Sequence, residues 1–176
     1  MLKIDKSKLL QKIIVQLQQV QKTAAQAAEQ AHSTATHGES VAKSKYETFG
    51  LEASYLAQGQ SQRVTECEQD LQAVSKLVIK DFSDEQPIAL GALVKIETLD
   101  TPETTSQWLF VSPGAGGGGI LVDYWVNDLL QQTSLTITLV TPQAPLGKSL
   151  LGLYCDDEFS INLAGQQKSY QITAVI

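Results

Sequence analysis

Two proline-free stretches with apolar residues every three and four positions fill the first half of the chain. Over residues 6–35, Leu10, Ile13, Leu17, Val20, Ala24, Ala27, Ala31 and Thr34 keep this spacing throughout. That is the 3.5-residue period of a coiled-coil seam. Asp5 stands where an N-cap belongs, and Ile4 is spaced to staple against Leu9. The seam residues shrink from Leu and Ile to Ala, so a partner helix approaches closely near residue 31. Residues 40–80 supply that partner, with a seam of Tyr46, Phe49, Ala53, Leu56, Gln60, Val64, Cys67, Leu71, Val74 and Val78. Two consecutive steps of four between Leu56 and Val64 imply a drift in register. Gly50 and Gly59 each cost about 1 kcal/mol against Ala inside a helix.

The break between the helices is short, around Thr36-His37-Gly38. Gly38 gives the permissive backbone of a turn. Glu39 or Ser40 then opens the second helix, where an acid also suits the dipole. Residues 1–82 therefore read as an antiparallel hairpin with its tip at about residues 36–41. Thirty helical residues span about 45 Å, which makes a finger.

After Asp81 the pattern changes. Asp84-Glu85-Gln86-Pro87 is a polar link. Six short runs follow at 92–98, 108–112, 120–126, 135–140, 159–163 and 170–175. They are rich in β-branched and aromatic residues and are bounded by turn residues. Ala164-Gly165-Gln166-Gln167 joins the last two as a hairpin. Pro145–Leu151 reads as one short helix, with Pro145 in its first turn and Gly152 past its end. Residues 83–176 are thus a small β-rich unit with one helix, and the fold class is α+β.

Charge separates the two parts. Residues 1–82 hold ten Lys/Arg against nine Asp/Glu, whereas residues 83–176 hold three against ten. With a net charge of −6, the chain is not expected to grip free DNA over its whole surface, because phosphate binding needs clustered cations. Two cysteines make neither a disulfide framework nor a zinc site. No stretch reads as a signal peptide or a membrane span, so a reducing, cytoplasmic setting is expected.

Other chemistry is thinly represented. Cys67 falls on a helix seam and reads as a small buried residue. His32 and His37 have no ligand cluster around them. Gly114–Gly119 lacks the Lys-Ser/Thr ending of a phosphate loop and runs into Ile120, so it reads as a flexible sheet connection. Trp108, Phe110, Tyr124 and Trp125 are the candidates for an aromatic pocket, yet the pattern assigns them to strands.

Two stretches resemble a known family. Ala144-Pro145-Leu146-Gly147-Lys148-Ser149-Leu150-Leu151-Gly152, followed by Asp157-Glu158-Phe159, looks like the Pro-Leu-Gly-Arg-Ala-Leu-Leu-Gly and Gly-Asp-Glu-Val segments of the bacterial GreA/GreB transcription elongation factors. Gly38 through Tyr46 aligns without a gap to that family's Gly-Asp-Leu-Ser-Glu-Asn-Ala-Glu-Tyr. The resemblance runs from about residue 6 to the C-terminus. It implies an antiparallel coiled coil followed by an FKBP-like domain.

The resemblance also implies a partner, RNA polymerase, and a mode of action. The C-terminal part docks, the finger enters the secondary channel, and two tip acids help hold a second Mg²⁺ at the polymerase's active site for cleavage of backtracked RNA. Docking falls on Pro145, Leu146, Gly147, Lys148 and Asp157, and the tip comprises Gly38, Glu39, Ser40, Lys43, Lys45 and Tyr46. Glu39 matches the first acid, but the second falls on Ala42. Lys43 and Lys45 replace an Asn and a Glu, and either face the nascent RNA or form a solvated helix face. A shared metal needs both position and charge. The expectation is therefore an accessory factor without intrinsic enzyme activity, and with weak or absent cleavage stimulation. The heptads alone equally suit a coiled-coil interaction module outside transcription.

Overall fold

The computed structural model describes residues 4–37, 47–100, 105–115, 121–127 and 132–176. Two long helices lead: α1 (Lys6–His37) and α2 (Glu47–Ser75). Asp5 caps α1 as expected. Its Oδ1 accepts from the N–H groups of Ser7 and Lys8, both at 3.1 Å, and the Lys8 N–H holds its carboxyl below the usual carboxylate value. The helices pack on each other. Lys6 meets Lys80 at one end, and Gln21 Nε2 donates to Glu68 Oε1 at 3.3 Å further along.

Burial on both helices repeats every seven residues. Leu17, Ala24 and Ala31 are buried on α1, and Ala53, Cys67 and Val74 on α2. The α2 register does not drift. Half-buried Ala57 takes the position assigned to Leu56, which is 56% exposed, so the steps from Ala53 to Val64 are four, three and four. Leu56 is the larger apolar residue, but Ala57 stands seven residues before half-buried Val64, which stands seven before half-buried Leu71, and so lies on their line along the helix. Thr34 is exposed rather than on the seam.

Helix α2 also stops at Ser75, five residues short of the expected 80. The Leu77 N–H turns back to the Val74 carbonyl, and β-branched Val78 and Ile79 favour extended chain. Val78, expected on the seam, is 71% exposed.

The second part forms all six expected strands: β1 (Leu93–Thr98), β2 (Ser106–Val111), β3 (Leu121–Asn127), β4 (Gln132–Val140), β5 (Glu158–Leu163) and β6 (Gln166–Val175). They make one sheet in the order β3-β4-β2-β1-β6-β5. Neighbours are antiparallel except β2 and β4, which are parallel. Strands β2, β4 and β6 start earlier than their apolar runs, because backbone pairing continues through polar pairs such as Asn127↔Gln132. The β5–β6 turn is Ala164-Gly165, with φ of 53° and 82°. Helix α3 (Pro145–Leu150) follows β4, and Gly152 past its end has φ of 84°.

Strand alternation sends side chains to two cores. Trp108, Phe110, Ile137 and Leu139 face one side, where Leu9, Ile13, Leu17 and Val74 from the helices cover them. Leu109, Val111, Val94 and Ile172 face the other, under Leu150 of α3 and Ile88. Fully burying each such side chain contributes roughly 1.5–3 kcal/mol. Among the described residues no helix is long and apolar enough to cross a membrane.

Candidate functional site

The tip residues Gly38, Glu39, Ser40, Ala42, Lys43, Lys45 and Tyr46 lie outside the described residues. The other candidate surface, the segment 144–157, is built as follows. Ala144 is extended (φ −69°, ψ 145°) and its carbonyl accepts from the Lys148 N–H at 2.8 Å. Pro145 starts α3, where a missing N–H costs nothing. Ser149 Oγ returns to the Pro145 carbonyl at 3.0 Å.

Three of the five residues assigned to docking hold this segment in shape. Gly147 is buried, and a Cβ there would run into the carbonyl oxygen of Thr141 and lie 2.8 Å from its carbon. Leu146 packs against the second core. Asp157 closes a turn: its Oδ2 accepts from the Tyr154 N–H at 2.7 Å, and its backbone oxygen accepts from the Ile172 N–H at 2.9 Å. The Gly152 N–H and the Leu153 carbonyl pair with Ile88 at 3.0 and 2.8 Å, tying the segment to the link before β1.

What the segment presents outward is different. Pro145 and Lys148 are exposed. Leu151 and Tyr154 are 37% and 44% exposed, and sequence reasoning did not single them out as surface residues. Their signal was available: the pattern ends α3 near Leu151, and a large apolar residue past a short helix's end has little core left to enter. A surface of one cation and two apolar side chains on a clamped turn is suited to a protein partner rather than to chemistry.

The junction of helices and sheet holds the other residue that sequence reasoning missed. Lys6 is 4% exposed. Its ammonium donates to the backbone oxygens of Lys80 and, at 2.9 Å, Ile176, and lies 4.7 Å from the Phe82 ring centroid. Burial pulls it down to about 8 from 10.5, against the opposing pull of Asp81. One charge thus joins the start of α1, the exit from α2 and the end of β6. The spacing Lys6, Leu9, Ile13 continues the buried stripe backwards, and that was its sequence signal.

Beside it, Lys12 Nζ donates to the Asp123 carbonyl at 3.1 Å and sits 5.5 Å from the Tyr124 ring centroid, while the Tyr124 hydroxyl donates to the Asp5 carbonyl at 3.2 Å. Trp108, Phe110 and Tyr124 are buried against the helices. Of the four aromatic residues considered for a pocket, these three belong to the helix–sheet core.

Gly114 changes the reading of the glycine run. It lies against α2, where a Cβ would come 2.7 Å from Asp70 Cα, Cβ and Cγ. The Ala115 N–H donates to Asp70 Oδ2 at 3.1 Å. The run begins as a close backbone contact with the helix, not as a loose connection; Gly116–Gly119 lie outside the described residues. Cys67 is buried on the seam, and burial raises its thiol. Among the described residues no group of three or more His, Cys, Asp or Glu side chains is placed to hold a metal.

No protein-family model matches the sequence, and no curated protein matches it. Among solved structures, GreA factor homolog 1 (Gfh1) of Thermus thermophilus is 21% identical, covers 93% of this chain and 94% of its own, and gives a TM-score of 0.34. Thermus aquaticus Gfh1 is 20% identical over 94% of both chains, also at 0.34. The transcription elongation factor GreA/GreB from Nitrosomonas europaea is 16% identical over 71% of this chain and 91% of its own, at 0.32. Likeness at this level carries no argument for family or activity.

Proposed function

We propose that this protein is an accessory factor of bacterial RNA polymerase of the GreA/GreB type, acting in the cytoplasm. Residues 1–82 form a coiled-coil finger that enters the polymerase's secondary channel. Residues 83–176 form an FKBP-like unit that docks on the enzyme through Pro145, Lys148, Leu151 and Tyr154. Leu146, Gly147 and Asp157 shape that surface. The factor has no enzymatic activity of its own.

The observation that carries this reading is the gapless alignment of Gly38–Tyr46, at the break between two long helices, with the family's tip. The paired helices support it. A 32-residue α1 is about 48 Å long, and its residues become small toward the far end.

At the tip, Glu39 is the one carboxylate aligned with the family's acid pair, and Ala42 offers no donor. Any Mg²⁺ belongs to the polymerase. One carboxylate flanked by lysines holds a shared cation poorly, so cleavage stimulation is weak or absent while occupancy of the channel persists, with Lys43 and Lys45 near the nascent RNA.

A pull-down with bacterial core RNA polymerase, competed by an authentic Gre factor, tests the reading. Binding that the competitor displaces is expected. Absence of binding would return the chain to the class of coiled-coil interaction modules. Strong transcript cleavage that survives Glu39→Ala would overturn the account of the tip.

A further inference from the structure

The outer flank of α2 carries a second heptad-spaced stripe that the fold leaves open. Glu52, Leu56, Gly59 and Arg63 step by four, three and four, and all are exposed. At about 100° per residue they lie along one line, roughly a quarter turn from the seam.

Two of its members, Leu56 and Gly59, are anomalous for a solvated face. Leu56 is a large apolar side chain, 56% exposed. Gly59 weakens the middle of a helix, yet a Cβ built there meets nothing within 4 Å. Nothing within the described chain therefore requires a glycine. A hollow of about 270 Å³ lies there, lined by Gly59, Gln62, Arg63 and Glu66. Arg63 is the chain's only arginine. Among the described residues neither it nor Glu52 belongs to a salt bridge, although the Arg63 guanidinium donates to the Cys67 thiol on its own helix.

Reversed, the stripe is its own complement. A second α2 laid antiparallel, with the two-fold axis between Ala57 and Gln58, sets Glu52 against Arg63 and Leu56 against Gly59, each twice. Carboxylate meets guanidinium, and the large side chain meets the hollow. We propose that this flank is an isologous interface pairing two copies of the chain through antiparallel α2 helices. Self-complementarity of this kind is what a two-fold contact demands. An unrelated partner would have to reproduce the same spacing of charge and volume.

Sedimentation velocity on the whole protein tests the pairing. The unaltered protein is expected to dimerise, and Glu52→Arg and Arg63→Glu should each weaken the dimer by about tenfold or more through like-charge contacts. An equimolar mixture of the two variants should dimerise again, because each carries the charge that the other lacks. That recovery also shows both variants to be folded. Gly59→Leu fills the hollow and should abolish pairing with helix content unchanged or higher by circular dichroism. A monomeric unaltered protein, pairing indifferent to either charge reversal, a mixture that stays monomeric, or a Gly59→Leu dimer would each overturn the proposal.

Discussion

Gly114 and Asp70 are in closer contact than a side chain at position 114 would permit. A Cβ there would lie 2.7 Å from three Asp70 atoms, and the neighbouring Ala115 N–H donates to the Asp70 carboxylate at 3.1 Å. The contact binds the loop after β2 to the lower part of α2. Gly114→Ala should therefore destabilise the protein by about 2 kcal/mol, since overpacking at a backbone contact has no cheap relaxation. Urea denaturation measures this directly. An unchanged midpoint and slope would mean that the loop is not held against the helix.

Lys6 gives a pH dependence with a definite sign. Its folded-state value of about 8 lies below the ordinary 10.5. Between the two, the unfolded chain binds the more protons, so stability attributable to Lys6 rises with pH across that window. Below pH 8 both states are charged and the desolvation cost is present in full. The melting temperature of the unaltered protein, taken relative to Lys6→Met, should climb from pH 8 to pH 10.5. A flat difference would show that the ammonium titrates as it does in water.

The proposed docking segment separates shape from contact. Gly147→Ala collides with the Thr141 backbone and should cost about 2–3 kcal/mol while weakening polymerase binding indirectly. Lys148 is exposed, so Lys148→Ala should change stability by less than about 0.5 kcal/mol and still weaken binding. Thermal melts alongside a polymerase-binding titration distinguish the two. Equal losses of stability in both variants would contradict the assignment.

The α2 register is testable by charge insertion. Ala57 is half-buried on the seam and Leu56 is exposed. Ala57→Glu should destabilise the helical pair by about 1–3 kcal/mol through a desolvated carboxylate, and Leu56→Glu by less than about 0.5 kcal/mol in dilute, unpaired protein. The reverse ranking in denaturant melts would restore Leu56 to the seam.

At the tip, Ala42→Asp restores the second acid of the family pattern. Halted elongation complexes should then show more transcript cleavage than with the unaltered protein, and the gain should vanish with Glu39→Ala. No gain would place the defect elsewhere, in Lys43 and Lys45 or in docking.

Much of the architecture was legible in the sequence. The α1 seam from Leu10 to Ala31, the Asp5 cap and all six strands follow from local periodicity and turn chemistry, which neighbours along the chain decide. Leu56 was misplaced because size argued for burial, whereas burial on a helix is set by angle. The end of α2 was missed because apolar spacing continues to Val78, whereas the Leu77 N–H turns back to Val74 and β-branched Val78 and Ile79 favour extended chain. Of the residues proposed for docking, only exposure separates Lys148 from Gly147, and exposure depends on the packing of Thr141 and the second core.

The sequence by itself determined the kinds of element, their order and the two-part charge distribution, because periodicity and composition are properties of adjacent residues. Tertiary structure decided which residues are architecture and which are surface. Gly114, Gly147 and Lys6 hold pieces together; Lys148, Leu151, Tyr154 and the Glu52–Arg63 flank face outward. That division rests on contacts between segments far apart in the chain, where one carbonyl or one carboxylate determines whether a side chain has room.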